Sequence, residues 1–278
     1  MHGVQGVAGS SPVAPTIFSS DNAGSNVGIP TPLILVSNDD GIRSEGIVAL
    51  AEALRPIGTV YVVAPDRERS AAGHSLTLSH PLRVEKVGRR EYAVDGTPTD
   101  CVNLAVNGIL RKKKVDLLVS GINKGGNMGD GITYSGTVSA AMEGTLLGVP
   151  SIAVSLASRN NYRFEAAAAF SARVANLVLR RGLPKDTLLN VNLPNVPMEE
   201  IRGIRITRQG KVIYGDAIVE KRDPRGRKYY WIGGDSLRRE DIPGSDLEAV
   251  EQNYISVTPI HLDFTNHVSL RSLKRWKW

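Results

Sequence analysis

Two adjacent carboxylates follow the first apolar segment of the chain, where residues 32–37 end at Asn38-Asp39-Asp40-Gly41. Neighbouring carboxylates at the end of a buried strand repel each other and lose solvation. A hard divalent cation such as Mg²⁺ or Mn²⁺ offsets both effects, because it prefers oxygen ligands. The alternative for an isolated Asp-Asp-Gly is an ordinary turn in which one Asp caps the next helix.

Two further polar segments follow apolar runs. One spans residues 66–75 and contains Ser70 and His74, and the other spans residues 123–131 and begins at Asn123. Ligands of open α/β sheets bind at the carboxyl ends of the strands, so all three polar segments are expected to meet in one crevice. The Ser70 hydroxyl and the Asn123 carbonyl would then be further oxygen ligands. His74 would contact the substrate there or pack structurally.

The tripeptide Ser135-Gly136-Thr137 lies where the sequence predicts the start of a helix. Exposed N–H groups and the positive end of the helix dipole favour an anion at such a position. We expect Gly136 to let an oxyanion approach the backbone, with the two hydroxyls as donors; an ordinary Ser or Thr N-cap is the alternative. A cation site and an anion site in one crevice indicate a phosphate ester, whose charge a metal neutralises while it activates water.

Other ways of handling phosphate lack their motifs here. The Walker A pattern fails because Asn127 stands where the lysine is required. A cysteine phosphatase loop needs Arg six residues after Cys, and Asn107 follows Cys101 at that spacing. There is no Gly-x-Gly-x-x-Gly after the first strand and no Gly-x-Ser-x-Gly motif. A metal-assisted hydrolase without a covalent nucleophile remains.

A late acid–histidine pair, Asp263 and His267, is a second candidate for chemistry. Its functional interpretation is a general acid for the leaving group, brought into the crevice by the C-terminal region or by a neighbouring subunit. Its alternative is a structural contact in a surface loop.

The elements that must position these residues alternate in type. Residues 32–37 predict a buried strand, Ser44 the cap of a helix, and residues 59–64 a second strand, which together make a βαβ unit. The alternation continues to residue 192 and predicts an α/β doubly wound fold with a largely parallel sheet. We expect three regions: a flexible extension over residues 1–31, a catalytic core over 32–196, and a hairpin-rich appendage with a C-terminal arm over 197–278.

Composition narrows the class of protein. Cys101 is the one cysteine among 278 residues, so we expect a reducing, cytoplasmic location, and no apolar run approaches the roughly 18 residues of a membrane span. The net charge of +6 comes from 34 basic and 28 acidic residues. Two basic clusters, at residues 111–114 and 271–277, account for more than all of it. This pattern indicates a solvated helix end and a solvated C-terminal tail rather than an extended surface for nucleic acid.

Several motifs in order resemble those of the survival protein SurE family, which are metal-dependent nucleoside monophosphate phosphatases. They occupy residues 37–42 (SNDDGI), 64–70 (APDRERS), 73–75 (GHS), 96–102 (GTPTDCV), 120–123 (SGIN), 126–129 (GNMG), 135–138 (SGTV) and 254–259 (YISVTP). The resemblance implies a Rossmann-like three-layer core and one divalent metal per subunit, held by Asp39, Asp40, Ser70 and Asn123. It further implies phosphate contacts from Asn127, Ser135, Gly136 and Thr137, and a dimer or dimer of dimers with exchanged C-terminal arms.

From these observations we expect a cytoplasmic 5′-nucleotidase that acts on nucleoside monophosphates with Mg²⁺ or Mn²⁺. A nucleotide-binding regulator with the same crevice but no turnover is the main alternative, and a nucleic-acid-binding module is the third. The chain departs from the family pattern in its extension over residues 1–31. It also carries Phe264 and Asn266 where many members have Leu and Ala.

Overall fold

The computed structural model describes residues 31–214, 218–232 and 237–278. The extension expected at residues 1–31 therefore lies outside the described residues, except for Thr31. The strands are β1 (Leu33–Ser37), β2 (Thr59–Pro65), β3 (Val84–Gly88), β4 (Glu91–Val94), β5 (Leu117–Lys124), β6 (Ser151–Ala157), β7 (Thr187–Pro194), β8 (Gly203–Ile206), β9 (Val212–Tyr214), β10 (Ile218–Arg222), β11 (Lys228–Ile232), β12 (Leu237–Arg239) and β13 (Tyr254–His261). The α-helices are α1 (Glu45–Leu54), α2 (Pro98–Leu104), α3 (Gly136–Leu146), α4 (Phe164–Arg181), α5 (Asp246–Glu251) and α6 (His267–Leu273).

Within the described residues, nine strands form one central sheet in the order β3-β4-β2-β1-β5-β6-β7-β13-β8. The six strands from β4 to β7 in that order run parallel to one another. Strand β3 is antiparallel to β4, and β13 is antiparallel to β7. The predicted α/β fold with a largely parallel sheet is confirmed.

Helices cover both faces of the central sheet, which makes the core three-layered. On one face α1 and α4 pack against each other and against the sheet, and their buried side chains include Leu50 and Phe170. On the other face α2 and α3 cover β2, β1, β5 and β6. Because both faces are buried, the parallel strands are apolar throughout rather than alternating, as β1 with five buried residues shows.

The strand order reverses around β1, which lies between β2 and β5. The chain passes from β1 through α1 to β2 on one side, and later strands extend the sheet on the other. Loops that leave the carboxyl ends of β1 and β5 therefore diverge and open a crevice, which is where ligands of such folds bind.

Residues 197–278 were expected to form a hairpin-rich appendage with a C-terminal arm, and part of this region belongs to the central sheet. Strands β8 and β13 belong to the central sheet, because Ile255, Val257 and Ile260 of β13 are apolar and buried against β7 and the helices. The hairpin-like part consists of the antiparallel pairs β9–β12 and β10–β11. Among the described residues, no helix combines the length and the apolar character needed to cross a bilayer.

Candidate active site

A cavity of about 420 Å³ opens at the carboxyl ends of β1 and β5. Its volume lies within the range of roughly 300–1,000 Å³ that is typical of small-molecule sites. The lining comes from all three polar segments: Asp39, Asp40, Glu68, Ser70, Ala71, Asn123, Lys124, Asn127, Gly131, Tyr134, Ser135 and Tyr162. The four residues expected to bind a metal, Asp39, Asp40, Ser70 and Asn123, are thus all at this cavity.

The two aspartates are presented by a tightly held turn after β1. The buried Asn38 side chain donates to the Gly41 carbonyl at 3.0 Å and to the Ser44 hydroxyl at 2.8 Å. Ser44 stands at the N-cap position of α1, but its hydroxyl accepts no bond from the helix backbone, contrary to the expected cap. Gly41 has φ +94° and lies against the backbone of Arg67, so a side chain would be strained there.

Backbone hydrogen bonds join the three polar segments to one another. The Arg69 N–H donates to the Asp39 carbonyl at 2.7 Å, and the Gly73 N–H donates to the Tyr134 carbonyl at 3.3 Å. The Lys124 N–H donates to the Asp40 carboxylate at 3.1 Å. The convergence expected from the strand order is therefore realised through direct contacts.

Burial makes both carboxylates costly to ionise without a compensating cation. Desolvation raises the pKa of Asp39 to about 6, the charge of Asp40 adds to the rise, and the hydrogen bond from Thr137 opposes it. Desolvation also raises the pKa of Asp40, against the opposing effects of the Lys124 N–H and ammonium group. Glu68 adds a third negative charge near Asp40.

Gly136 and Thr137 both lie against Asp39 at the start of α3. A Cβ at position 136 would lie 2.7 Å from the Asp39 Cβ and 3.1 Å from the Pro98 ring, so α3 packs closely against Asp39 at this position. Thr137 is fully buried and donates to the Asp39 carboxylate. Both residues therefore contact Asp39, and the phosphate contacts expected of them stay a prediction.

Ser135 and Asn127 are the two expected phosphate contacts that line the cavity. Ser135 is the N-cap of α3 and accepts from the Val138 N–H at 3.1 Å, which leaves its hydroxyl hydrogen free to donate. The Asn127 Nδ2 lies 2.9 Å from the Ser155 hydroxyl. Because a hydroxyl can donate or accept, a half-turn of the Asn127 amide would turn Nδ2 towards the cavity and keep the contact with Ser155.

The donor set fits a hard divalent cation. The buried carboxylate of Asp39 and the half-buried carboxylate of Asp40 lie beside the neutral oxygens of Ser70 and Asn123. In the part of the chain that the structure describes, no cluster of three or more His, Cys, Asp or Glu side chains is suited to a metal. Oxygen ligands without nitrogen or sulfur favour Mg²⁺ or Mn²⁺ over zinc.

Glu68 was missed by the sequence analysis. It lines the cavity and accepts a hydrogen bond of 2.6 Å from the Ser70 hydroxyl, which directs the lone pairs of that hydroxyl away from Glu68. The signal available in the sequence was its place two residues before Ser70. Tyr134 and Tyr162 also line the cavity, and Tyr162 stacks on Phe164 with ring centroids 5.9 Å apart.

His74 pairs with a buried glutamate rather than facing the cavity. Its Nε2 lies 2.9 Å from a carboxylate oxygen of Glu143 on α3, and Asn103 donates to the other oxygen at 2.7 Å. His74 is absent from the residues that line the cavity in the described part of the chain. The contact ties the segment after β2 to α3, and the substrate contact expected of His74 stays a prediction.

Asp263 and His267 form the expected pair, with His267 Nε2 2.9 Å from Asp263 Oδ2, on the exposed surface. They follow β13, whose last residue His261 pairs with Thr187, the first residue of β7. Because β13 is antiparallel to β7, this end lies at the amino edge of the parallel strands, opposite the cavity. The chain therefore does not bring His267 into its own crevice.

Comparisons with known proteins show which family the chain belongs to. The sequence profile of the family described as Survival protein SurE matches residues 34–216. The 5′-nucleotidase SurE of Geobacter sulfurreducens is 62% identical over 246 residues, which cover 87% of this chain and 93% of that protein. The 5′-nucleotidase SurE of Geotalea uraniireducens is 59% identical over 244 residues, covering 87% and 98%. The crystal structure of the SurE protein from Aquifex aeolicus is 49% identical, with a TM-score of 0.78 and coverage of 87% and 98%.

Proposed function

Because the chain belongs to the survival protein SurE family, we propose that it is a 5′-nucleotidase that hydrolyses nucleoside 5′-monophosphates to nucleosides and phosphate. One observation carries the assignment to this cavity. The carboxylates of Asp39 and Asp40 and the start of α3 at Ser135 face the same space. A cation and a phosphate can therefore lie side by side there.

Asp39, Asp40, Ser70 and Asn123 would hold one Mg²⁺ or Mn²⁺ per subunit. When bound, the cation supplies positive charge for the phosphoryl oxygens and acidity for the attacking water. Thr137 and Gly136 contribute by fixing the Asp39 carboxylate from α3.

The phosphate would lie between the cation site and the start of α3. Ser135 donates its hydroxyl hydrogen, Asn127 donates from its turned amide, and the helix dipole favours the negative charge. A nucleobase would extend towards Tyr134 and Tyr162, whose rings border the cavity and offer faces for stacking.

The reaction requires attack by a water oxygen on phosphorus and cleavage of the bond between phosphorus and the ribose 5′-oxygen. The water loses a proton and the leaving oxygen gains one, so the products are phosphate and the nucleoside. Protonation of the leaving oxygen would come from His267, oriented by Asp263, of a second subunit, because the pair of the same chain lies at the opposite edge of the sheet.

A homo-oligomer, dimer or tetramer, is proposed on the same grounds and on exposed apolar surface. Ile204 and Ile206 are exposed on β8, the edge strand of the central sheet, and Tyr230 and Trp231 are exposed on β11. An exposed apolar edge strand is a surface that proteins normally cover. A reducing compartment, the cytoplasm, fits the single thiol of Cys101, which is buried and unpaired.

The test is release of inorganic phosphate from AMP and GMP with added Mn²⁺ or Mg²⁺. We expect turnover that chelation abolishes and that Asp40→Asn lowers together with Mn²⁺ affinity. The matched control is Asp66→Asn. Asp66 belongs to the same polar segment after β2, but its carboxylate is exposed and does not line the cavity. AMP binding without phosphate release would favour the non-catalytic regulator, and turnover that survives exhaustive chelation would contradict the metal-assisted reaction.

A further inference from the structure

Two asparagines lie in the middle of the core strand β7. Asn190 and Asn192 have no exposed surface, although the strand around them is apolar. They are two residues apart, so both project from the same face of the sheet as Leu188, which packs with Val138 and Met142 of α3. Amides in such a place cost free energy unless their hydrogen bonds are satisfied.

Both amides contact the backbone of a single residue outside the sheet, Asn127. The Asn192 Oδ1 accepts from the Asn127 N–H at 2.8 Å, and the Asn192 Nδ2 donates to the Asn127 carbonyl at 3.0 Å. The Asn190 Nδ2 donates to the same carbonyl at 2.8 Å. With Ser155 of β6 on the Asn127 side chain, three buried side chains hold one residue of the cavity wall.

The segment that they hold is fixed two residues to either side of Asn127, by a bond from the Gly125 N–H to the Leu156 carbonyl at 3.0 Å and one from the Gly129 N–H to the Asp246 carboxylate at 2.9 Å. It follows β5 without regular structure until the turn at Gly129–Thr133. The side chain of Asn127 extends from a backbone whose N–H and carbonyl are both engaged by β7, so the position of that side chain is set by the sheet. Loss of the Asn192 amide would also leave the Asn127 N–H without its bond, which costs more than the bond itself contributes. Loss of the Asn190 amide would remove one of the two donors to the Asn127 carbonyl.

We propose that Asn190 and Asn192 are positioning residues for phosphate, acting through Asn127. This rests on the proposed function, in which Asn127 contacts the phosphoryl group. The amides of Asn190 and Asn192 hold the backbone of Asn127, and Ser155 orients the Asn127 side chain. The Asn127 side-chain amide then contacts the phosphate at the start of α3. The cation ligands do not depend on this contact, since Asn123 belongs to β5 and Asp39 and Asp40 follow β1.

The experiment measures the dissociation constants of inorganic phosphate, at saturating Mn²⁺, and of Mn²⁺ alone, by calorimetry on the full chain. Asn192→Leu and Asn190→Leu replace each amide by an apolar side chain of similar shape. We expect phosphate affinity to fall about tenfold or more in each, as is typical when a supporting contact of a site is lost, while Mn²⁺ affinity changes less than about twofold.

The matched control is Thr258→Val. Thr258 is buried on β13 opposite Asn190, and its hydroxyl bonds to Thr207 at 2.7 Å, so the control removes a buried hydrogen bond from the neighbouring strand without touching Asn127. We expect it to lower the melting temperature and to leave phosphate affinity unchanged. Equal losses of phosphate and Mn²⁺ affinity in the asparagine variants would mean a merely structural role and would overturn the proposal.

Asn127→Ala separates this proposal from the proposed function. If Asn127→Ala weakens phosphate binding but Asn192→Leu and Asn190→Leu do not, the positioning role is wrong and the phosphate assignment stands. If Asn127→Ala binds phosphate as the unaltered protein does, the phosphate contact of Asn127 and the positioning role of Asn190 and Asn192 are both wrong. Should Asn192→Leu fail to fold, Asn190→Ala, which removes one of two donors to the Asn127 carbonyl, is measured in the same way and decides the question.

Discussion

The hydroxyl of Thr137 donates a hydrogen bond to the carboxylate of Asp39, although 98 residues separate them in the chain. The bond is buried and joins the first turn of α3 to the end of β1. The helix start that faces the cavity and the proposed cation ligand are therefore one unit. Substitutions at the start of α3 should therefore change the affinity for the cation as well as the affinity for phosphate.

Thr137→Val tests this connection with a side chain of the same shape. Loss of a buried hydrogen bond to a carboxylate costs about 1–3 kcal/mol, so we expect the free energy of unfolding to fall by that amount and Mn²⁺ affinity to fall with it. Urea unfolding and calorimetry measure the two effects. Thr145→Val is the control, because the Thr145 hydroxyl donates to the Ala141 carbonyl within the same helix; an equal loss of Mn²⁺ affinity there would contradict the prediction.

Gly136→Ala tests the close approach of α3 to Asp39. The new Cβ would lie 2.7 Å from the Asp39 Cβ, a separation that real structures avoid, so Asp39 or the helix must move. Overpacking of this kind typically costs about 1–3 kcal/mol, and we expect weaker Mn²⁺ binding together with lower stability. Gly108→Ala, where a Cβ would meet nothing within 4 Å, is the matched control. Intact Mn²⁺ affinity in Gly136→Ala would show that the site accommodates the methyl group.

Glu68→Gln tests the contact with the Ser70 hydroxyl. The neutral amide removes one negative charge beside Asp40 and weakens the acceptor for Ser70. We expect Mn²⁺ affinity to fall about tenfold, the lower end of the range for residues that orient a metal ligand, with the melting temperature of the metal-free protein unchanged. Glu85→Gln on the exposed β3 controls for the change of net charge. Unaltered Mn²⁺ affinity in Glu68→Gln would remove Glu68 from the site.

The raised pKa of Asp246 leads us to expect that the stability of the protein depends on pH. The Asp246 carboxylate accepts hydrogen bonds from the N–H groups of Gly129, Gly210 and Leu247. It therefore ties the turn that begins at Gly129 to the C-terminal region. Burial raises the pKa of Asp246, and the three N–H donors oppose that rise. A raised pKa means that the folded state binds the proton more tightly than the unfolded state. The contribution of Asp246 to stability is then complete below the ordinary pKa of Asp and is lost as pH rises through the raised value.

The measurement compares the free energies of unfolding of the unaltered protein and of Asp246→Asn between about pH 4 and pH 7. Other titrating groups contribute equally to both proteins, so the difference isolates Asp246. We expect the difference to shift in disfavour of the unaltered protein as pH rises. A difference that moves the opposite way would mean that the N–H donors outweigh burial.

His267→Ala tests the proposed proton donor. A ribose alkoxide is a poor leaving group and p-nitrophenolate a good one, so AMP hydrolysis should fall by about 10²–10⁴-fold and p-nitrophenyl phosphate hydrolysis much less. Because the pair lies opposite the cavity in its own chain, we further expect activity to return when inactive His267→Ala and Asp40→Asn proteins are mixed and reassembled. In a dimer about a quarter of the sites would combine intact residues from both chains. Parallel losses on both substrates, without recovery on mixing, would exclude His267 from proton transfer.

Local patterns in the sequence determined the elements and the proposed cation ligands. The apolar runs before Asp39 and around Val119 predict buried strands because neighbouring residues must pack on both faces of a covered sheet. The rule that loops at the carboxyl ends of parallel strands converge then brings Ser70 and Asn123 to Asp39 and Asp40. Each of these inferences depends on residues near one another in the chain, where spacing is set by the backbone.

Tertiary packing alone decided the remaining relationships. Asp39 lies against Gly136 at the start of α3, and no local pattern in the sequence reports which distant side chain packs against a glycine. The strand that precedes Asp263 joined the central sheet antiparallel to β7, which carried His267 to the edge opposite the cavity. Asn190 and Asn192 are polar residues in an apolar strand. Their hydrogen-bond partners are the backbone groups of Asn127, more than 60 residues away in the chain. Strand order and the registry of buried contacts are properties of the whole folded chain, because each depends on which distant segments exclude water together.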